Sequence, residues 1–175
     1  MKSGANFGSG TEHVPTDKRK LYLETTIVSY LTARSSRDLI RVARQEITRE
    51  WWESRRSDFD CHVSQLVVDE TGKGDVEATE RRIGLLAGLP RLELNEMVTD
   101  LARALLDQHA LPKKAVEDAL HIALASVHGM DFLLTWNCSH IANAEMMGTI
   151  QAAIRSRGYD SPVTCTAEEL LGDWT

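Results

Sequence analysis

The sequence predicts an α/β fold of three layers, with a mainly parallel, twisted sheet of about five strands flanked by helices. Three observations carry that prediction. Short apolar runs alternate with longer segments of helical periodicity and no internal repeat, the order expected of a parallel sheet covered on both faces. The run Asp131-Phe132-Leu133-Leu134-Thr135-Trp136 is apolar enough for a central strand buried on both sides. Residues 116–127, just before it, are apolar nearly all round and stop at Gly129, as expected of a helix packed on most of its faces.

Composition sets the outer limits. A chain of 175 residues with 42% hydrophobic content can close one core and is too short for two ordinary domains. Cys61, Cys138 and Cys165 form no CxxC pair and no zinc spacing, which suggests thiols used as small hydrophobes in a reducing, cytoplasmic compartment. No apolar run approaches the ~20 residues of a membrane span, and the N-terminus lacks the basic-then-apolar order of a secretory signal. The formal net charge of −6 argues against holding nucleic acid by bulk attraction, so such a partner would need a local basic face.

The elements follow in order. Residues 1–17 carry Gly, Ser, Asn, Thr and Pro15 without periodicity and are expected to be a flexible tail, leaving 18–175 as a single domain. Leu21-Tyr22-Leu23 is the first strand; it ends at Glu24, followed by Thr25, Thr26 and a helical start at Ile27-Val28. An acid at a strand's carboxyl end lies where open parallel sheets keep their chemistry, although Glu24 or Thr26 taken alone is also an ordinary helix cap. Residues 37–56 form an amphipathic helix with Leu39, Val42, Ala43, Ile47, Trp51 and Trp52 on its apolar side. Arg34, Arg37, Arg41 and Arg44 line one side of that helix and the turn before it, where they either meet phosphates or form a solvated face paired with glutamates. Trp51-Trp52 reads as core and subunit contact rather than a base-stacking platform.

Residues 59–63 make the second strand, and Ser64 caps a short helix whose apolar side carries Leu66 and, one turn on, Glu70. Its neighbour Asp69 projects about 100° away, so Glu70 is the acid expected to face the crevice. A helix over 76–89 with Ile83, Leu85, Leu86 and Ala87 inward ends at Pro90, and residues 91–94 form a third strand. The helix over 96–109 turns Met97, Leu101, Ala104 and Leu105 inward, and Pro112 opens the central helix. After the central strand come a helix over 141–157, an edge strand starting at Pro162, and a capping box at Thr166-Ala167-Glu168-Glu169.

Asp118 is out of place in its apolar helix, because a buried carboxylate must be paired, hydrogen-bonded or bound to a cation. Glu24, Glu70, Asp118 and Asn137, the last at the end of the fourth strand, can all converge on the carboxyl edge of the sheet. Carboxylates gathered there without Lys or Arg partners repel, and a hard divalent cation, Mg2+ or Mn2+, resolves that repulsion with oxygen ligands. Such a site suits phosphodiester hydrolysis, since the cation polarises a phosphate and acidifies a water.

The motifs LYLETT, SQLVVDE, EDALHIALA and FLLTWNCSHIANA, in that order over residues 20–171, resemble the PIN-domain family of small metal-dependent ribonucleases. The resemblance is greatest to relatives of the VapC-type toxins of bacterial toxin–antitoxin pairs. It implies a PIN-like, Rossmann-like fold, RNA as substrate and an antitoxin protein as partner, while the apolar and aromatic side of the helix over 37–56, Trp51-Trp52 with Leu39, Val42 and Ile47, predicts a homodimer. The family's four site positions fall on Glu24, Glu70, Asp118 and Asn137. Two depart from the commoner pattern: the first is usually Asp, and Glu24 adds a methylene; the fourth is often Asp, and Asn137 keeps an oxygen but loses a charge. Both match a subgroup with ETT and TWN at these places. The alternative is a catalytically weak or inactive module of the same fold for RNA binding or protein docking.

Around these four, Thr25, Thr135, His140, Arg34 and Arg37 are candidates to touch substrate. Thr135 either orients an acid or water or satisfies a neighbouring backbone group. His121 reads foremost as a satisfied core histidine, with a bond to Asp118 or a substrate contact as its other readings. His140 and Asn143 either touch phosphate or cap the next helix, with capping favoured.

Overall fold

The computed structural model of the chain describes residues 18–72 and 76–172, with only the backbone of residues 76–78. The tail expected over residues 1–17 lies outside them. The strands are β1 (Lys20–Leu23), β2 (Asp60–Ser64), β3 (Arg91–Leu92), β4 (Phe132–Leu134) and β5 (Val163–Cys165). They form one sheet in the order β3-β2-β1-β4-β5 with every pairing parallel, so β1 and β4 are central and the chain order reverses between them. Leu21, Tyr22, Leu23, Leu133 and Leu134 are fully buried, which is why these strands read as continuous apolar runs rather than as alternation. β5 is the edge strand that Pro162 predicted.

Among the described residues seven helices flank the sheet: α1 (Thr25–Thr32), α2 (Leu39–Ser54), α3 (Gln65–Thr71), α4 (Val76–Leu86), α5 (Glu96–Asp107), α6 (Val116–Val127) and α7 (Ala144–Ser156). α1 packs on α2, α3 and α4, while α5 packs on α6 and α7, giving two helical layers around the strands. Their starts follow side-chain chemistry. Asp38 caps α2, Ser64 caps α3, Asn95 caps α5 and Asn143 caps α7, each accepting backbone N–H groups that have no partner within the helix. Gly129 takes a positive φ of 62° just beyond α6, where a side chain would be strained, and so turns the chain into β4. Among the described residues no helix is long and apolar enough to cross a membrane. Cys61 and Cys165 are buried, and burial pushes their thiols up to about 11 and about 12, in keeping with small core hydrophobes.

Several expectations are corrected. The inward face of α2 is Gln45, Thr48 and Trp51, while Leu39 is 84% exposed and Ala43 lies outside. Hydrogen bonds select that face. Gln45 Nε2 donates to the Arg34 carbonyl at 3.0 Å, and the buried Thr48 hydroxyl accepts the Trp136 indole N–H at 2.8 Å, so polar groups turn inward against the hydrophobic pattern. Met97 on α5 and Ile83 on α4 are half exposed, although Leu101, Ala104, Leu105 and Leu86 are buried as expected. α6 begins at Val116 rather than Pro112, whose carbonyl instead closes a turn by accepting the Ala115 N–H. α7 begins only after Asn143, and the capping box at Thr166 starts a short 3₁₀ turn in which Glu169 accepts from the Thr166 backbone and hydroxyl.

Two substitutions test this packing. Trp51→Ala is expected to cost about 3–5 kcal/mol in urea denaturation, as large-to-small changes at fully buried aromatics do. Met97→Ala is expected to stay within about 0.5 kcal/mol of wild type, as exposed positions do. Similar losses for the two would contradict the assignment of faces.

Candidate metal centre

The crevice beyond the carboxyl ends of β1 and β4, where the strand order reverses, is where open α/β sheets bind ligands. Glu24 stands at its floor. Its backbone N–H donates to the Leu134 carbonyl at 3.1 Å, and its carboxylate, only 4% exposed, caps α1 by accepting the Thr26 N–H. Burying a carboxylate is costly unless donors replace water. Here Oε2 accepts three: the Thr26 N–H at 3.1 Å, the Thr26 hydroxyl, and the Thr135 hydroxyl at 2.7 Å. Each hydroxyl in turn accepts a backbone N–H from the end of β4, Thr26 from Trp136 at 2.8 Å and Thr135 from Asn137 at 2.9 Å. The ETT and TWN motifs are thus two halves of one hydrogen-bonded brace across the switch point. Oε1 of Glu24 has no donor among the described residues.

Glu70 arrives from the last turn of α3 with 14% of its side chain exposed. Its Oε2 accepts the Thr25 hydroxyl and lies 3.2 Å from Nε2 of His121 on α6. Glu24, Glu70 and His121 each offer one ligand atom within 4.8 Å of the others, so the group could hold a metal ion. The donor chemistry fits a hard divalent cation. Two carboxylates supply oxygen, and Glu24 has no Lys or Arg partner among the described residues to neutralise it.

Asp118 and Asn137 form a second pair beside this group. Asp118 sits in the first turn of α6 with Glu117; Ala115 provides no side-chain cap there, and the acids complement the helix dipole. Asp118 Oδ1 accepts Asn137 Nδ2 at 2.8 Å, and Oδ2 lies 2.6 Å from Nδ1 of His140. Asn137 Oδ1 accepts the His140 backbone N–H at 3.2 Å. Turning this carboxamide over would point its oxygen at a carboxylate and its NH2 at an N–H, so the surroundings hold it one way.

The structure therefore brings Glu24 and Glu70 to ligand distance and joins Asp118 to Asn137, with Asn137 meeting Asp118 as a donor. The hydroxyls of Thr25 and Thr135 are directed at Glu70 and Glu24. His140 contacts Asp118 and leaves the capping to Asn143, which accepts the Glu145 N–H at 3.0 Å. His121 meets Glu70 rather than Asp118. Arg34 lies beside a cavity of about 380 Å³ lined also by Thr26, Tyr30, Arg41 and Gln45; Arg37 is exposed, and Arg44 stacks on Trp136 at 5.1 Å from the ring centroid. Thr26, expected at most to cap the helix, instead binds the Glu24 carboxylate through its hydroxyl. Its signal was a hydroxyl two residues beyond a capping acid, positioned to loop back onto it.

Fold and site together define a parallel α/β protein with a candidate metal centre at its switch point. The chain belongs to the PIN-domain family, whose pattern it matches over residues 21–137, a stretch that contains Glu24, Glu70, Asp118 and Asn137. PIN domains are in general metal-dependent nucleases. No curated protein matches the chain.

The brace predicts a specific cost. Thr135→Val would leave the Asn137 N–H without its acceptor and remove one of the three donors to Glu24, and is expected to lose about 1–3 kcal/mol in urea denaturation. Thr135→Ser should recover most of it. Equal stability of the Val and Ser variants would contradict the bonding described.

Proposed function

We propose that this chain is a Mg2+- or Mn2+-dependent endoribonuclease, acting in the cytoplasm as the toxin of a VapC-type toxin–antitoxin pair. The observation that carries the reading is the approach of the Glu24 and Glu70 carboxylates to ligand distance at the switch point of a PIN domain. The residues that would hold the cation are Glu24 and Glu70, with Asp118, one turn from His121 on α6, completing the acidic rim. Bound there, it would neutralise charge on the scissile phosphate and acidify a water. The protein's own part is to hold the ligands still. Thr26 and Thr135 fix Glu24, Thr25 fixes Glu70, and Asn137 with His140 fixes Asp118, so that Asn137 serves this site as a donor to an acid.

RNA would reach the acids along the α1–α2 groove. Thr26, whose hydroxyl binds Glu24, also lines the 380 Å³ cavity, which has Arg34 and Arg41 along its wall and Arg37 at the turn before α2. A local basic strip of this kind offsets the acidic whole-chain charge of −6. The homodimer would use the exposed Leu39 and Ile40 at the start of α2, and an antitoxin would cover the acidic rim. One observation favours the second reading, a binding module with little catalysis: both oxygens of Asp118 already have partners.

Two measurements separate these readings. The purified protein should cut single-stranded RNA internally with Mn2+ or Mg2+ and stop in EDTA. Glu70→Gln and Asp118→Asn should each abolish cleavage while remaining folded by circular dichroism. Cleavage that survives chelation, or in either variant, sinks the proposal, and folded wild type without cleavage favours the binding module. Arg41→Ala should weaken RNA binding and lower its salt dependence by about one counterion without changing Mn2+ affinity. An unchanged salt slope would remove the groove from the RNA path.

A further inference from the structure

We infer that His121 is a positioning residue for Glu70, held in one tautomer by a buried hydrogen-bond chain through Tyr22 and Ser64, and is not itself a metal ligand. The inference rests on the reading of Glu70 as a ligand and specifies how that ligand is held. Tyr22, Ser64 and His121 are each at most 1% exposed, and they bring together β1, the end of β2 and α6. The Tyr22 hydroxyl lies 2.7 Å from Ser64 Oγ and 2.8 Å from His121 Nδ1, and His121 Nε2 lies 3.2 Å from Glu70 Oε2.

Counting protons fixes the direction of this chain. Ser64 Oγ accepts the Val67 N–H as the cap of α3, so its own proton must go elsewhere, and the Tyr22 oxygen is the acceptor beside it. Tyr22 then donates to Nδ1 of His121, which places the ring proton on Nε2, aimed at the Glu70 carboxylate. The reverse direction would leave a buried Ser64 hydroxyl without an acceptor and set an imidazole lone pair against a carboxylate oxygen.

The function of the chain is to aim an acid. Glu70 sits on the short helix that Ser64 caps, so the same serine starts the helix and anchors the relay that ends on its last acid. With Nε2 protonated, His121 grips one oxygen of Glu70 from the core side while the Thr25 hydroxyl holds it from the β1 side. A protonated Nε2 has no lone pair for a metal, so within the group of three that could hold an ion, the carboxylates are the ligands.

The test uses the full chain. Long-range 1H–15N correlation of the histidines at about pH 8, above the ordinary imidazole range, should show His121 as the Nε2–H tautomer with and without Mg2+. Tyr22→Phe should redistribute the tautomers and weaken Mn2+ binding by calorimetry roughly tenfold, the scale at which outer partners of metal ligands act. His121→Gln, which keeps a donor toward Glu70, should bind Mn2+ more tightly than His121→Phe, and this pair carries the test if Tyr22→Phe does not fold. An Nδ1–H tautomer in wild type overturns the inference. So does unchanged Mn2+ affinity in Tyr22→Phe or, failing that variant, in His121→Phe. If wild type binds no Mn2+, the metal-centre reading fails, and the tautomer alone decides whether His121 holds Glu70.

Discussion

A carboxylate buried at the point where the sheet's strand order reverses is the constraint on which this structure depends. Glu24 cannot stay there without donors, and the chain supplies them from two places more than a hundred residues apart in sequence: Thr26 just after β1 and Thr135 just after β4. Because both hydroxyls also accept N–H groups from the end of β4, the bonds that satisfy the acid also fasten the two central strands where the regular ladder stops. Hydroxyl donors satisfy a carboxylate without cancelling its charge. A lysine or arginine in their place would stabilise Glu24 as well and would remove the negative potential that gives the crevice a use.

The same logic recurs around the crevice with different donors. Glu70 is held by a hydroxyl and an imidazole, and Asp118 by a carboxamide and an imidazole. Each acid comes from a different element, and each is aimed by a neighbour on another: Thr25 of α1 and His121 of α6 reach Glu70 of α3, while Asn137 and His140 beyond β4 reach Asp118 of α6. The position of each acid therefore depends on the packing of the whole domain, which couples the geometry of the crevice to the integrity of the fold.

Much of this was legible in the sequence for identifiable reasons. Strands buried on both faces must be short apolar runs, so LYL and FLL declared themselves, and an acid directly after one of them marked the crevice. Asp118 stood out because its helix is otherwise apolar. The inward face of α2 was not legible, because Gln45 and Thr48 are buried by hydrogen bonds to Arg34 and Trp136 that no periodicity encodes. Asn137 presented an oxygen and an amide equally in sequence, and only the His140 N–H and the Asp118 carboxylate beside it determine which points where. The buried chain from Ser64 to Glu70 was hidden for another reason. Its members stand 42 and 99 residues from Tyr22, and each, read alone, is an ordinary cap or core residue.

The central claim is that Glu24 and Glu70 together form a divalent-cation site. The most direct measurement is anomalous diffraction from crystals of the chain soaked in Mn2+. The account predicts a single strong peak coordinated by an oxygen of each of these carboxylates. A peak with neither carboxylate in its shell, or none in the crevice at saturating Mn2+, would contradict it.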